Sequence, residues 1–122
     1  MRPAVLSIST ERVLAPIRNA VLAHAGYGVI PASSTEHALK VLRARHVCAI
    51  VVGNSVSRSD RGTLRVEALR LGVSIIVVDP YELEAGDRSE LHVNPLDGPE
   101  IFLKVLAMLV ARDHQSCAGA RP

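Results

Sequence analysis

The chain has 122 residues, 48% of them hydrophobic and only 2% aromatic, with a formal net charge of +2. That length supports one core and not two, and the apolar content excludes a disordered chain. Three aromatic residues, Tyr27, Tyr81 and Phe102, are too few for the stacking platforms of single-strand nucleic-acid binding, and scattered arginines do not form the clustered footprint of a nucleic-acid binder.

Ala4 to Ser9 is a β-rich run. Leu14, Ile17, Val21 and Leu22 then recur at helical spacing. Pro16 conflicts with a helix starting at Glu11, because it would remove a backbone bond, so that helix kinks or begins near Ala15. Gly26 stands just past its end, before a second strand at Tyr27 to Ala32. Ser34-Thr35-Glu36 is a helix start with a hydroxyl as N-cap, continued by Ala38, Leu39, Val41 and Leu42. Cys48 to Val52 and Val73 to Val78 are apolar nearly throughout, which suits strands buried on both faces of a parallel sheet. Between them Leu64, Ala68 and Leu71 mark a helix closed by Gly72.

From Asp79 onward, turns at Pro80 and Gly86 leave Tyr81 to Ala85 little more than one helical turn, so a fourth helix is truncated. Leu91 to Val93 is the last strand, and Asp97-Gly98-Pro99-Glu100 opens a final apolar helix, Ile101 to Val110. Five strand-then-helix alternations predict an α/β doubly wound sheet within a domain of residues 1–111, with 112–122 as a flexible tail.

Cys48 and Cys117 supply neither a disulfide framework nor the ligand spacing of a zinc site. No apolar stretch approaches the roughly 18 to 20 residues that span a bilayer. A cytoplasmic protein without a membrane segment, metal or cofactor is the expectation.

Leu22-Ala23-His24-Ala25-Gly26-Tyr27-Gly28-Val29, Ala32-Ser33-Ser34-Thr35-Glu36-His37-Ala38-Leu39 and Asn94-Pro95 together resemble response-regulator receiver domains of the chemotaxis type, in order and spacing, over residues 4 to about 110. The resemblance implies a flavodoxin-like five-stranded parallel sheet in order 2-1-3-4-5 with its site at the carboxyl ends of strands 1 and 3. In that family the first strand carries two metal-holding acids, the third an acceptor aspartate, the fourth a hydroxyl switch and the fifth a lysine. The matching positions here are Ser9 with Thr10, Gly53, Asp79 and Asn94, and the aromatic switch position is Leu91. Phosphoryl transfer to a carboxylate needs an acidic nucleophile, a cation held by oxygen ligands and a balancing positive charge. These residues supply none of the three, so the resemblance implies a pseudo-receiver with no catalytic residues.

Other constellations are weaker. Glu11 and Asp79 could share a cation in the pocket mouth, but a first-turn acid and a turn former before Pro80 account for them. The polar loop Gly53 to Gly62 could cradle an anion with its serines and Arg58, yet it lacks the Gly-Lys-Ser/Thr core of a phosphate loop. His24, His37, His46, His92 and His114 form no ligand pair. Ser7 and Ser9 have no recognisable base partner.

The final helix is apolar almost all round, with Lys104 the single interruption from Ile101 to Val110. If Ile101, Val105, Met108 and Leu109 face the core, then Leu103, Leu106 and Val110 make a second stripe, of the kind that marks an interface. The resulting expectation is a phosphorylation-independent signalling and protein-interaction module. It associates through the face of the fourth helix, fifth strand and fifth helix, most simply as a homodimer. A small-ligand sensor using the altered pocket is the alternative.

Overall fold

The computed structural model describes residues 3–10, 14–53, 55–78, 90–93 and 99–119. Strands β1 (Ala4–Ile8), β2 (Gly28–Ala32), β3 (Ala49–Gly53) and β4 (Ser74–Val78) alternate with helices α1 (Leu14–His24), α2 (Thr35–Ala44) and α3 (Arg58–Leu71). The first four strands form a parallel sheet in order β2-β1-β3-β4, and β5 (Glu90–Val93) lies parallel along β4, with Val78 opposite Val93. Helix α4 (Pro99–Gly119) closes the described chain. The segment Tyr81 to Ala85, expected as a truncated helix, lies outside the described residues.

Strand alternation divides the core. Leu6, Ile8, Ile50, Val52, Ile75 and Val77 point to the face covered by Ala38 and Leu42 of α2 and by Leu64 and Ala68 of α3. Val5, Val51, Ile76 and Val78 point the other way, against Leu22 of α1 and Phe102, Leu106, Leu109 and Val110 of α4. All five residues of β3 are buried, as the continuous apolar run predicts for a central parallel strand. Pro31 falls in β2, at the edge of the sheet, where a missing N–H is tolerated.

The helix ends follow local chemistry. Pro16 sits in the first turn of α1, where its absent N–H would have had no helical acceptor. Ser34 caps α2 by accepting from the His37 amide, and Ser57 caps α3 by accepting from the Asp60 amide, each at 3.1 Å. Gly72 ends α3 in the left-handed region at φ 70°, its N–H directed at the Ala68 and Leu69 carbonyls. Replacing Ser57 with alanine should remove about 1 kcal/mol of stability, read as a lower urea midpoint at unchanged slope.

Three expectations are corrected. First, α4 is rotated from the orientation expected. Leu106 is 0% and Val110 7% exposed and both are core residues, Leu103 is half-buried, and Ile101 and Met108 stand outward at 47% and 66%. The physical reason is helical spacing: Phe102, the one aromatic side chain of the Ile101–Val110 stretch, is buried in the cluster with the sheet, and Leu106, Leu109 and Val110 share its face. Second, α4 continues to Gly119 through most of the stretch read as a tail, because no proline or glycine interrupts Glu100 to Ala118. Third, half of the polar loop Gly53 to Gly62 is helical, since α3 begins at Arg58 directly after its cap.

Among the described residues no helix is long and apolar enough to cross a membrane.

Candidate functional site

The carboxyl ends of β1 and β3 lie side by side, with Ile8 opposite Val52, and Ser9, Thr10 and Gly53 stand at these ends. Asp79, Asn94 and Glu11 lie outside the described residues.

Ser9 is a buried polar residue. Its amide donates to the Ala32 carbonyl at 3.1 Å, continuing the β1–β2 ladder one residue past the strand, and its hydroxyl lies 3.1 Å from the Ser55 hydroxyl. The Thr10 amide donates to Ser55 Oγ at 3.1 Å, and Thr10 Oγ1 donates to the Ser55 carbonyl at 3.4 Å. Ser55 itself is held in a tight turn in which the Val56 amide donates to the Gly53 carbonyl at 3.2 Å. Hydrogen bonds between neutral groups therefore tie the β1–α1 loop to the β3–α3 loop.

Gly53 stands close to the side chains of Arg18 and Ser9. A Cβ on it would lie 2.9 Å from a terminal nitrogen of Arg18 and 3.1 Å from Ser9 Oγ. Both contacts are tighter than ordinary van der Waals separation, so a side chain at position 53 would have to push aside the flexible end of Arg18, from the second turn of α1, and press on the Ser9 hydroxyl. Sequence reasoning missed Arg18, and saw Ser55 only as one of the serines of the polar loop. Arg18 was only one of the scattered arginines, although a glycine at the end of a buried β-strand signals that another group approaches closely.

A cleft of about 750 Å³ opens beside this cluster, at the ends of β1 and β2. Ser7, Ser9, Thr10, Asn19, Ser33 and His37 are its polar lining. Ser7 is 2% exposed and donates to Asn19 Oδ1 at 2.6 Å, which commits that oxygen and leaves the amide nitrogen as the donor end of Asn19. The Ser7 partner is thus an amide oxygen. The expected site lay between strands 1 and 3; the open volume is displaced towards β2.

Among the described residues no group of His, Cys, Asp and Glu could hold a metal ion. Cys48 is buried and is not part of a disulfide.

No protein-family model matches the chain, and no curated protein matches it. Solved structures do. The signal receiver domain of an HD domain-containing protein from Pseudomonas fluorescens superposes with a TM-score of 0.79 at 16% identity, over 96% of this chain and 93% of that one. Chemotaxis protein CheY4 of Vibrio cholerae gives 0.76 at 14% identity, over 89% and 99%. Response regulator protein TrrA of Thermotoga maritima, in complex with Mg2+ and BeF, gives 0.67 at 19% identity, over 86% and 97%. At these identities the likeness is one of architecture, and the chain has the flavodoxin-like α/β fold of response-regulator receiver domains.

Proposed function

We propose that the chain is a receiver-like signalling module that works without phosphorylation, through association with a protein partner. The observation that carries this reading is Gly53, which has no nucleophile and stands against Arg18 and Ser9. An aspartyl phosphate needs a carboxylate at that point and a divalent cation held by oxygen ligands, normally carboxylates, beside it. Ser9 and Thr10 offer neutral hydroxyls instead, already engaged with Ser55.

Incubation with magnesium and acetyl phosphate should leave the intact mass unchanged. An added phosphate that disappears in Asp79→Ala would show that the acceptor has moved to that carboxylate, and would sink the reading.

Association is assigned to the outward side of α4, with a second copy of the chain as the simplest partner. Ile101 and Met108 lie seven residues apart, on one side of the helix, and both are exposed. In a symmetric dimer each substitution counts twice, so Ile101→Glu with Met108→Glu should convert a dimer to a folded monomer in sedimentation velocity. Wild type that sediments as a monomer at several hundred micromolar removes the homodimer.

A second reading, ligand sensing at this end of the sheet, is supported by the cleft beside Ser9 and Thr10.

A further inference from the structure

We infer that the outer side of α3 is a further interaction surface, which takes an acidic amphipathic segment of another protein. It is independent of the α4 face, because α2 and α3 cover one side of the sheet and α4 the other. Val66 and Leu69 stand three residues apart on α3 at 63% and 62% exposure, which makes them neighbours on the helix surface. Gly62, four residues before Val66, continues the same side. Nothing in the fold requires a glycine there: its φ is outside the left-handed region, and a Cβ would meet no atom within 4 Å. A glycine inside a helix costs stability relative to alanine. What it supplies is a notch in the helix surface where another backbone can approach closely.

The charges around this stripe name the partner. Arg58 lies four residues before Gly62, and Arg43 and Arg45 stand at the end of α2, which packs beside α3. All three are exposed. Of the acids on the two helices, Glu36 is bridged to Lys40 at 3.7 Å. Glu67 is held below the ordinary carboxylate range, first by its hydrogen bond from Arg70 and then by the charges of Arg70 and Arg43. Asp60 alone is left against the three arginines, so this side of the molecule keeps an excess of positive charge, gathered by the fold from residues scattered in the sequence. Carboxylates complement it. A nucleic acid would meet the cations with phosphate and leave Val66 and Leu69 without an apolar counterpart. A lipid surface is disfavoured because α3 has no aromatic residue and a glycine in its outer side. An acidic helix fits both features, with a small residue at Gly62, leucines on Val66 and Leu69, and carboxylates towards Arg58 and Arg43.

The test is a titration of the isotope-labelled full chain, followed by amide shifts, with a peptide of about 15 residues built from glutamate, alanine and leucine at helical spacing. The expected result is shifts centred on Arg58 to Leu69 of α3 and on the end of α2. Binding should weaken at least tenfold between about 0.01 and about 0.15 M sodium chloride, as the screening length falls from about 30 to about 8 Å. It should weaken at least tenfold in Arg58→Glu and again in Gly62→Gln. Glutamine is the better helix former, so Gly62→Gln should melt above wild type, and its lost binding is then not unfolding. No shift at about 1 mM peptide overturns the proposal, as do shifts centred elsewhere, binding undiminished in both variants, or equal binding of the same peptide with lysine in place of glutamate. A Gly62→Gln chain that melts below wild type shows that the fold itself needs the glycine, and overturns the notch. Tighter binding of α3 to a short DNA duplex or to phosphatidylglycerol vesicles than to the peptide replaces the protein partner and also overturns it. None of these outcomes alters the sedimentation result for the α4 face, so the two readings fail separately.

Discussion

Leu106→Ala should cost about 2 to 5 kcal/mol, the range for a leucine removed from a close-packed core. Leu106 is 0% exposed and belongs to the cluster that joins α4 to Val51, Ile76 and Val78 of the sheet. Against a total stability of roughly 5 to 15 kcal/mol for such a domain, that is a large fraction, and Leu106→Glu should leave no folded protein, because a buried unpaired carboxylate adds its desolvation to the cavity. Met108, two residues on and 66% exposed, is the control: at concentrations where the chain is monomeric, Met108→Glu should stay within about 0.5 kcal/mol. Urea titrations of the three variants check the orientation of α4. A Leu106→Ala midpoint equal to wild type would mean that the helix faces the sheet differently.

The second large effect concerns rebuilding a metal site. Ser9→Asp, Thr10→Asp, Gly53→Asp and Asn94→Lys together restore the receiver pattern at these positions, but a carboxylate at 53 would meet the Arg18 guanidinium before any cation. The four changes alone should therefore give no response to magnesium, and adding Arg18→Ala should create one. A ligand at ten times its Kd stabilises the folded state by about 1.4 kcal/mol, measurable as a melting shift in millimolar magnesium. Magnesium binding by the fourfold variant with Arg18 intact would show that the arginine swings aside at little cost.

The fold was legible because its signals are local and repeated. Ser34 and Gly72 have one best role each, and the Cys48 to Val52 run has too few polar residues to be anything but a central strand. The orientation of α4 was not legible for the converse reason. Where eight of ten residues from Ile101 to Val110 are large and apolar, the 3.6-residue period carries almost no contrast, and the choice falls to packing against the sheet, where Phe102 is buried. The candidate site divides in the same way. Ser9, Thr10 and Gly53 were placed by the receiver resemblance, whose strand ends match residues that follow or close an apolar run. Arg18 was not, because a charged residue on an amphipathic helix usually reports solvent, and its approach to Gly53 depends on the distance between two elements far apart in sequence.

Pro31 in β2 has a consequence for how copies of the molecule can meet. The Gly28 amide donates to the Pro3 carbonyl, and the Ser9 amide to Ala32, so the even-numbered residues of β2 direct their backbone groups to β1 and the odd-numbered ones face outward. The missing N–H of Pro31 is thus on the outer rim, interrupting the row of donors that an added strand would require. Sheet-to-sheet growth into ribbons or fibrils is blocked along this margin. Stickiness elsewhere on the surface can then produce closed, finite assemblies without seeding runaway polymer from the β2 side.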